Sequence, residues 1–545
     1  MTTDALLPPL AALFQVRFDQ KVGYTIGWKR TQPDLDIEGV EYQCLPSGLH
    51  SCSEDLVYFI HGQYAGISAF VQGEADESQR HAAFVTVGVL VPLSYGRLGK
   101  SWLRAPHLRR LAAEAVQDTK DTRSLELYWK QHSQATSEDG QAASSSTSGG
   151  VLWRAELDPI KTRTRSSASN IFAGSSGLQS DHPASSMTAL LDTFGPLIFP
   201  LYRAALLRKR ILLLGAAPVQ QTCNFVYLLS VLSNLPQAQT NSLPTDSEAL
   251  LRTQPLFNVG IHDIPSLSDR KRQPPWLACT TDDILGEKKE LYDVLISLRN
   301  LASHGQPSKR RSVVTLSDRT VVKATHRDLR RYRLLRAELD RVRSISIRYR
   351  DDPQSDAGED NDDIPLAHTS TSTLFPKINH NEPDGVDVIE PVSWSAMAYN
   401  GFMWWASAGE MDAWETEETA TDRQLLDDLP EMNYLLPHPG DSNTEDGSMG
   451  LQAHAVATIV TAYFHRLTAQ MVQPLANLVE AADDDTEEGI ADAAIAMASD
   501  DVRAMGLDSW SLADQDFAKH MMQTYFGREA VLEAGGTRIC GVRVC

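Results

Sequence analysis

Apolar residues along this chain fall first into short alternating runs and then into helical stripes, and the change of period marks out successive units. Over residues 10–130, short apolar segments recur between turn signals: Phe14–Phe18, Tyr24–Trp28, Val40–Leu45, Leu56–Ile60, Ala65–Val71 and Ala82–Leu93. Their Val, Ile, Phe and Tyr content suits strands, and Gly62, Gly66, Gly73 and Gly96 punctuate them. Ser101–Gln117 switches to helical spacing, with Trp102, Leu103, Leu108, Leu111 and Val116 mostly on one side. A unit of sheet followed by helix is therefore predicted for 10–160, with Val151–Leu157 as a returning strand. The Ser/Thr/Gly-rich tract 133–150 reads as a loop, and the Ser-rich stretch 161–186 as a linker.

A second unit, 187–320, alternates the two periods. Arg210–Leu214 reads as a strand, Gly215-Ala216-Ala217 as a turn, and Pro218 suits the first turn of a helix. Val219–Leu235 is apolar on nearly every face, the mark of a buried helix. Leu256–Ile261, Trp276–Cys279 and Tyr292–Leu298 are further strands, so the pattern predicts an α/β layer with a partly parallel sheet. Lys309–Arg350 then holds fourteen Lys or Arg against four Asp or Glu. Within it, 321–350 reads as a basic amphipathic helix opened by a Thr325/Asp328 capping box. Leu329, Tyr332, Leu335, Leu339 and Val342 form its apolar stripe. A disordered acidic insert is expected over 351–386, and another insert over 417–449. A mainly helical unit is expected over 387–416 and 450–530. It carries the aromatics Trp394, Tyr399, Phe402, Trp404 and Trp405, a strong stripe over Leu451–Leu478, and a last helix at Asp514–Phe526. The fold class predicted is a multi-domain α/β and α+β chain with long inserts.

The 545-residue length agrees with about three folded units. A net charge of −21 argues against nucleic acid as a partner. Much of the acid lies in Asp351–Asp363, Glu410–Asp428 and Glu480–Glu488, tracts expected to be solvated. The six cysteines (Cys44, Cys52, Cys223, Cys279, Cys540 and Cys545) show no framework spacing, which fits a reducing compartment. No basic region precedes an apolar run near Asp4, so no secretory signal is expected. The apolar window Ala189–Leu207 is interrupted by Asp192, Gly195, Pro196, Pro200 and Arg203, which is unlike a membrane span. The expected location is the cytoplasm, with peripheral contact to intracellular membranes.

Signatures of covalent, metal and phosphoryl-transfer chemistry do not assemble. No GxxxxGK[ST] or strand-following GxGxxG is present. His326-Arg327-Asp328-Leu329 opens like a kinase catalytic loop, but the Asn and the Asp-Phe-Gly that would hold the metal are missing. Ser47 near His50 and Asp55 lacks a nucleophile elbow. Cys44, His50, Cys52 and His61 lack the close pairs of a zinc site, and Cys540 and Cys545 do not make a prenylation box. No catalytic residue, metal or cofactor is predicted, which favours a protein whose work is binding.

Three ordered segments resemble the DENN family, most closely its LCHN-like subgroup. The first is LPSGLH (Leu45–His50), continuing through DLVYFIHGQYAGISAF (Asp55–Phe70) to VGVLVPLSYGRLGKSW (Val87–Trp102). The second is DTFGPLIFPLYRAALLRKRILLLGAAPV (Asp192–Val219) with CNFVYLLSVLS (Cys223–Ser233), and the third is PVSWSAMAYNGFMWWASAGE (Pro391–Glu410). The resemblance implies an upstream longin-like unit, a central α/β unit and a downstream helical unit. It further implies guanine-nucleotide exchange on a Rab-type small GTPase in membrane trafficking, by holding the switch regions so that GDP leaves without covalent catalysis. The alternatives are a non-catalytic GTPase-binding scaffold or a peripheral membrane adaptor. Candidate GTPase contacts are the turn residues Ser47 and Gly48, and Tyr95, Arg97 and Gly99; for Arg97 a local salt bridge or carbonyl bond competes with that role. Arg327, Arg330, Arg331, Arg333 and Arg336 form a candidate face for an acidic partner or an anionic membrane, unless the chain's own acidic tracts occupy it.

Overall fold

The structure, a computed structural model, describes residues 7–19, 23–45, 47–48, 51–74, 82–133, 178–179, 181–244, 250–269, 274–298, 312–351, 388–390, 410–427, 445–484, 494–509, 511–532, 537–539 and 542–544. Five strands come from the first unit: β1 (Ala12–Asp19), β2 (Gly23–Thr31), β3 (Glu54–His61), β4 (Tyr64–Glu74) and β5 (Ala82–Pro92). Five come from the second: β6 (Ile211–Leu214), β7 (Gln254–Asn258), β8 (Trp276–Thr280), β9 (Val294–Ser297) and β10 (Val313–Leu316). Together they make one sheet in the order β10-β9-β6-β8-β7-β3-β4-β5-β1-β2. The first five pair antiparallel throughout. In the other half β9, β6, β8 and β7 run parallel, and β10 closes the edge antiparallel.

Among the described residues, the strands of the two halves pair at one position, Phe59 of β3 against Phe257 of β7. Pro255 has no N–H to give a ladder, and the β7–β8 register slips between Pro255 and Phe257. That local irregularity lets two regular half-sheets share an edge. The helices named below are α1 (Ala105–Gln117), α2 (Arg123–His132), α3 (Met187–Phe194), α4 (Ile198–Leu206), α5 (Gln220–Leu232), α6 (His326–Asp351), α7 (Glu410–Asp427), α8 (Glu445–Asp484) and α9 (Leu512–Phe526).

On one face, α1 lies over β4 and β5 while α5 lies over β3, β7 and β8. Every residue of α5 from Thr222 to Leu232 is buried, as its all-round apolar pattern predicts. The other face of the antiparallel half is covered by Ile37, Val40, Cys44 and Leu45 against Phe14, Phe59, Phe70 and Leu90. Val40–Leu45 is therefore not a strand. Val40–Gln43 is one helical turn entered through Gly39 at φ 89°, which turns Val40, Cys44 and Leu45 to the same side. Between paired strands, Gly66 faces Phe59 and Gly88 faces Phe14, each leaving room for the opposite ring.

The downstream helices pack on the second unit. Val456, Ile459, Val460, Tyr463, Phe464 and Leu467 of α8 are all buried. Tyr202 of α4 hydrogen-bonds Thr468 of α8 at 2.6 Å, and Tyr525 of α9 donates to the Leu206 carbonyl at 2.6 Å. Residues 417–427, expected within a disordered insert, are instead the second half of α7. Two of their acids, Glu418 and Asp422, pair with arginines of α6, as described below. Val151–Leu157, the acidic stretch 352–386, the aromatic segment Val392–Gly409, residues 428–444, Cys540 and Cys545 lie outside the described residues. Among the described residues, no helix is long and apolar enough to cross a membrane.

Candidate functional site

Helix α5 is held to the antiparallel half at both ends, each time by the charge its dipole favours. At its N-terminus the Asp55 carboxylate accepts from the backbone N–H of Val219 (2.7 Å) and Gln220 (3.2 Å), and also from its own neighbour Leu56 (2.8 Å). The Val219 and Gln220 N–H groups are orphan donors of a helix start. At the other end the Arg97 guanidinium donates to the carbonyl and hydroxyl of Ser230, each at 3.1 Å, and to Asn234. Burial pushes Asp55 up to about 6 even though those three N–H groups pull it down. Between the two ends Cys223 lies 3.5 Å from Cys279 and 3.7 Å from the Tyr58 carbonyl, deep in the core.

Beside Asp55 is a pocket of about 430 Å³, lined by Glu54, Arg109, Ser186, Gln220 and Asn224 among others. Arg109 is tied to Asp181 at 2.7 Å. The Asn224 amide donates to Ser186 at 2.9 Å, while its Oδ1 is buried with no donor among the described residues.

The carboxyl edge of the parallel strands carries a second cluster of contacts between the halves. Ser47 hydrogen-bonds Asp282, which follows β8. Gln43 donates to Asp263 at 3.1 Å, and its carbonyl accepts from Asn258 at 2.8 Å. Tyr42 stacks on His262 with ring centroids 3.8 Å apart. Open α/β sheets present their binding crevices at this edge.

The candidate turn residues separate into two places. Ser47 and Gly48 are exposed at the carboxyl edge, with Gly48 at φ +85°. Tyr95 is 45% exposed in the turn after β5. Arg97 points inward to the end of α5, and Gly99 (φ +55°) is buried against Val91 and Pro92. The second turn thus sits at the C-terminal end of α5, while Ser47 and Gly48 sit beside Asp282 at the carboxyl edge. Trp102 packs edge-on against His182 and Tyr227 and belongs to the core margin. Asp55, Asn224 and Asp282 escape a sequence reading, because their partners are remote in the chain.

Two arginines of the basic face of α6, Arg327 and Arg331, turn inward, and two more pair with acids at its margin. Asp328 forms the expected capping box with Thr325 and also takes a two-pronged bond from Arg203 at 2.8 and 2.7 Å. Arg327 (3.1 Å) and Arg331 (2.9 Å) both reach Asp422 of α7, and all three are buried. Burial works to raise Asp422, but Arg331, Arg327 and Arg330 outweigh it and hold the carboxyl below its ordinary range. Arg330 pairs with Glu418 at 2.5 Å and Arg336 with Asp192 at 2.5 Å, while Arg333 is exposed. The chain's own acids therefore hold four of the five arginines.

A family model described as DENN domain-containing protein 11 matches residues 13–308. A second, described as a domain of unknown function (DUF4484), matches 389–493 and 485–545. DENN domain-containing protein 11 of Danio rerio is 32% identical over 300 residues, 54% of this chain and 55% of the relative. The Rattus norvegicus protein of the same name is 32% identical over 299 residues, 54% of this chain and 59% of the relative. The chain thus spans little more than half the length of these relatives. Uncharacterized protein ANR2 of Saccharomyces cerevisiae is 24% identical over 547 residues, covering 96% of this chain and 92% of the relative.

Proposed function

The chain belongs to the family of DENN domain-containing protein 11, and from that premise we propose that it docks a Rab-type small GTPase and promotes release of its GDP. The family match over 13–308 carries this reading, because that span holds the antiparallel half-sheet from Leu13 on, the parallel strands β6 to β9, and the helix that straps them together. An exchange factor needs a broad surface of fixed shape rather than a reactive group. It stabilises a switch conformation that binds nucleotide poorly, and GDP leaves by population shift. The support for a fixed shape is physical: α5 is tied at both ends to the antiparallel half, so the surface on either side of the seam moves as one. The exposed carboxyl edge with Ser47 and Gly48 is the first docking surface we assign, and Tyr95 the outlying contact.

Purified full chain should accelerate loss of fluorescent GDP from at least one Rab-type GTPase and bind the nucleotide-free form preferentially. Binding confined to the GTP-loaded form, with no acceleration, would instead make it an effector or scaffold. The membrane-adaptor reading has less support. Arg327, Arg330, Arg331 and Arg336 are engaged inside the chain, which leaves Arg333 as the exposed charge of that set. Flotation with anionic liposomes that survives charge reversal at Arg333 would count against electrostatic anchoring there.

A further inference from the structure

The carboxyl edge of the parallel strands is apolar and acidic at once. Tyr42, Ile261 and Ile284 are large apolar side chains exposed there, at 38%, 45% and 52%. Scattered singly, such residues carry no message, but these three are joined by close contacts. Tyr42 stacks on His262, the neighbour of Ile261. Gly260 lies between the Tyr42 carbonyl and the Asp282 carboxylate, since a Cβ added to it would come within 3.8 and 3.5 Å of them. Asp282 immediately precedes the helical turn Asp283–Glu287, which carries Ile284.

The segments that build this edge carry acid and no strong base. The chain has 50 Lys and Arg, yet none falls in 31–79, 253–269 or 273–287. Glu38 and Asp283 are exposed. Asp263 accepts from the Gln43 amide and the Gly260 N–H, and Asp282 accepts from the Ser47 hydroxyl. These neutral donors orient the two carboxylates without cancelling their charge.

We infer that this edge docks a basic protein face with an apolar side chain at its centre. That the occupant is the GTPase rests on the proposed function. Protein interfaces bury an apolar centre and keep charge at the rim, where it steers encounter and selects partners more than it adds affinity. An anionic membrane or a nucleic acid would be repelled by the same carboxylates.

The experiment has two arms. In the first, labelled short peptides of alternating lysine and leucine, lysine and serine, or glutamate and leucine are titrated with the full chain and followed by fluorescence anisotropy. Saturable binding of the lysine–leucine peptide is expected, about tenfold tighter than the lysine–serine peptide, with no binding of the glutamate–leucine peptide. Ile284→Ser and Asp283→Lys should each weaken it about tenfold. Glu480→Lys, an equal change of charge at an exposed position of α8, should leave it within about twofold. Equal affinity for the two lysine peptides, binding of the glutamate peptide, an effect of Glu480→Lys as large as that of Asp283→Lys, or no effect of either edge variant would each overturn the assignment. In the second arm the same variants are titrated with whichever GTPase the exchange assay captures. Losses of about tenfold in both edge variants support the edge as its dock, and parental affinity in both overturns it while exchange stands. Capture of no GTPase, with the peptide pattern intact, defeats the proposed function and upholds the chemistry of the edge.

Discussion

At the scale of single residues, two buried carboxylates behave in opposite ways because their surroundings differ. Asp422 is surrounded by arginines, so removing it strands charge in the interior. Asp422→Ala should cost about 3–5 kcal/mol in chemical denaturation, since Arg331 and Arg327 lose their shared partner. Loss of the exposed Arg110–Glu114 pair should cost under about 1 kcal/mol. Equal effects of the two changes would refute the buried network. Asp55 has N–H donors but no tightly bound cation, so burial dominates and lifts it from 3.8 to about 6. Its folded form holds a proton more tightly than the unfolded chain. The contribution to stability is therefore complete below its ordinary value and lost as pH rises to about 6, a change of about 3 kcal/mol. His182 and His465 act the other way. Burial holds both at about 4 against 6.5, so their contribution is present above 6.5 and lost as pH falls toward 4. The Asp55 effect must accordingly be read as a difference. From pH 4 to pH 7 the stability of Asp55→Asn relative to the parent should shift in the variant's favour by about 2 kcal/mol, and parallel profiles would show that Asp55 does not carry it.

At the scale of elements, regular strands and buried helices were legible in the sequence, and remote partners were not. The apolar runs of β1, β3, β4, β5, β6 and β8, the all-round apolar α5 and the stripe of α8 each carry their period within a few consecutive residues. Val40–Leu45 misleads because Val40, Cys44 and Leu45 are close enough to resemble a strand, while Gly39 opens a helical turn that only the φ of the chain reveals. Val313–Leu316 hides inside a basic region, and its end residues are exposed on the sheet edge. Helix α7 reads as solvated acid because nothing local shows that Asp422 will meet α6. The capping box of α6 was legible because both partners are three residues apart. Two variants test the packing of elements. Gly66→Ala puts a Cβ into the Phe59 ring and should cost about 1–3 kcal/mol or prevent folding; an unchanged melting temperature would contradict that close approach. Arg97→Ala removes the tie at the end of α5 and should cost about 2 kcal/mol. Wild-type stability of that variant would show that the Arg97 bonds add nothing to the hold on that end of α5.

At the scale of the whole molecule, the sequence separates a first and a second unit by a polar linker, whereas the sheet runs through both. The strand pair Phe59 with Phe257, the two ends of α5 and the carboxyl-edge contacts of Tyr42, Gln43 and Ser47 make that continuity, and none of these contacts is local in the chain. The candidate docking residues follow the same rule. Turn chemistry singled out Ser47, Gly48, Tyr95, Arg97 and Gly99, but only three-dimensional placement shows Ser47 and Gly48 exposed at the carboxyl edge and Arg97 turned inward. Docking that relies on both halves should fail if the strap is cut, so Arg97→Ala should reduce GTPase binding beyond what its loss of stability explains. The most direct measurement is the rate of fluorescent GDP release from a full panel of Rab-type GTPases, with and without the full chain. Acceleration for at least one of them, together with preferential capture of its nucleotide-free form, is the predicted result. A folded protein that accelerates none and captures no nucleotide-free GTPase would contradict it.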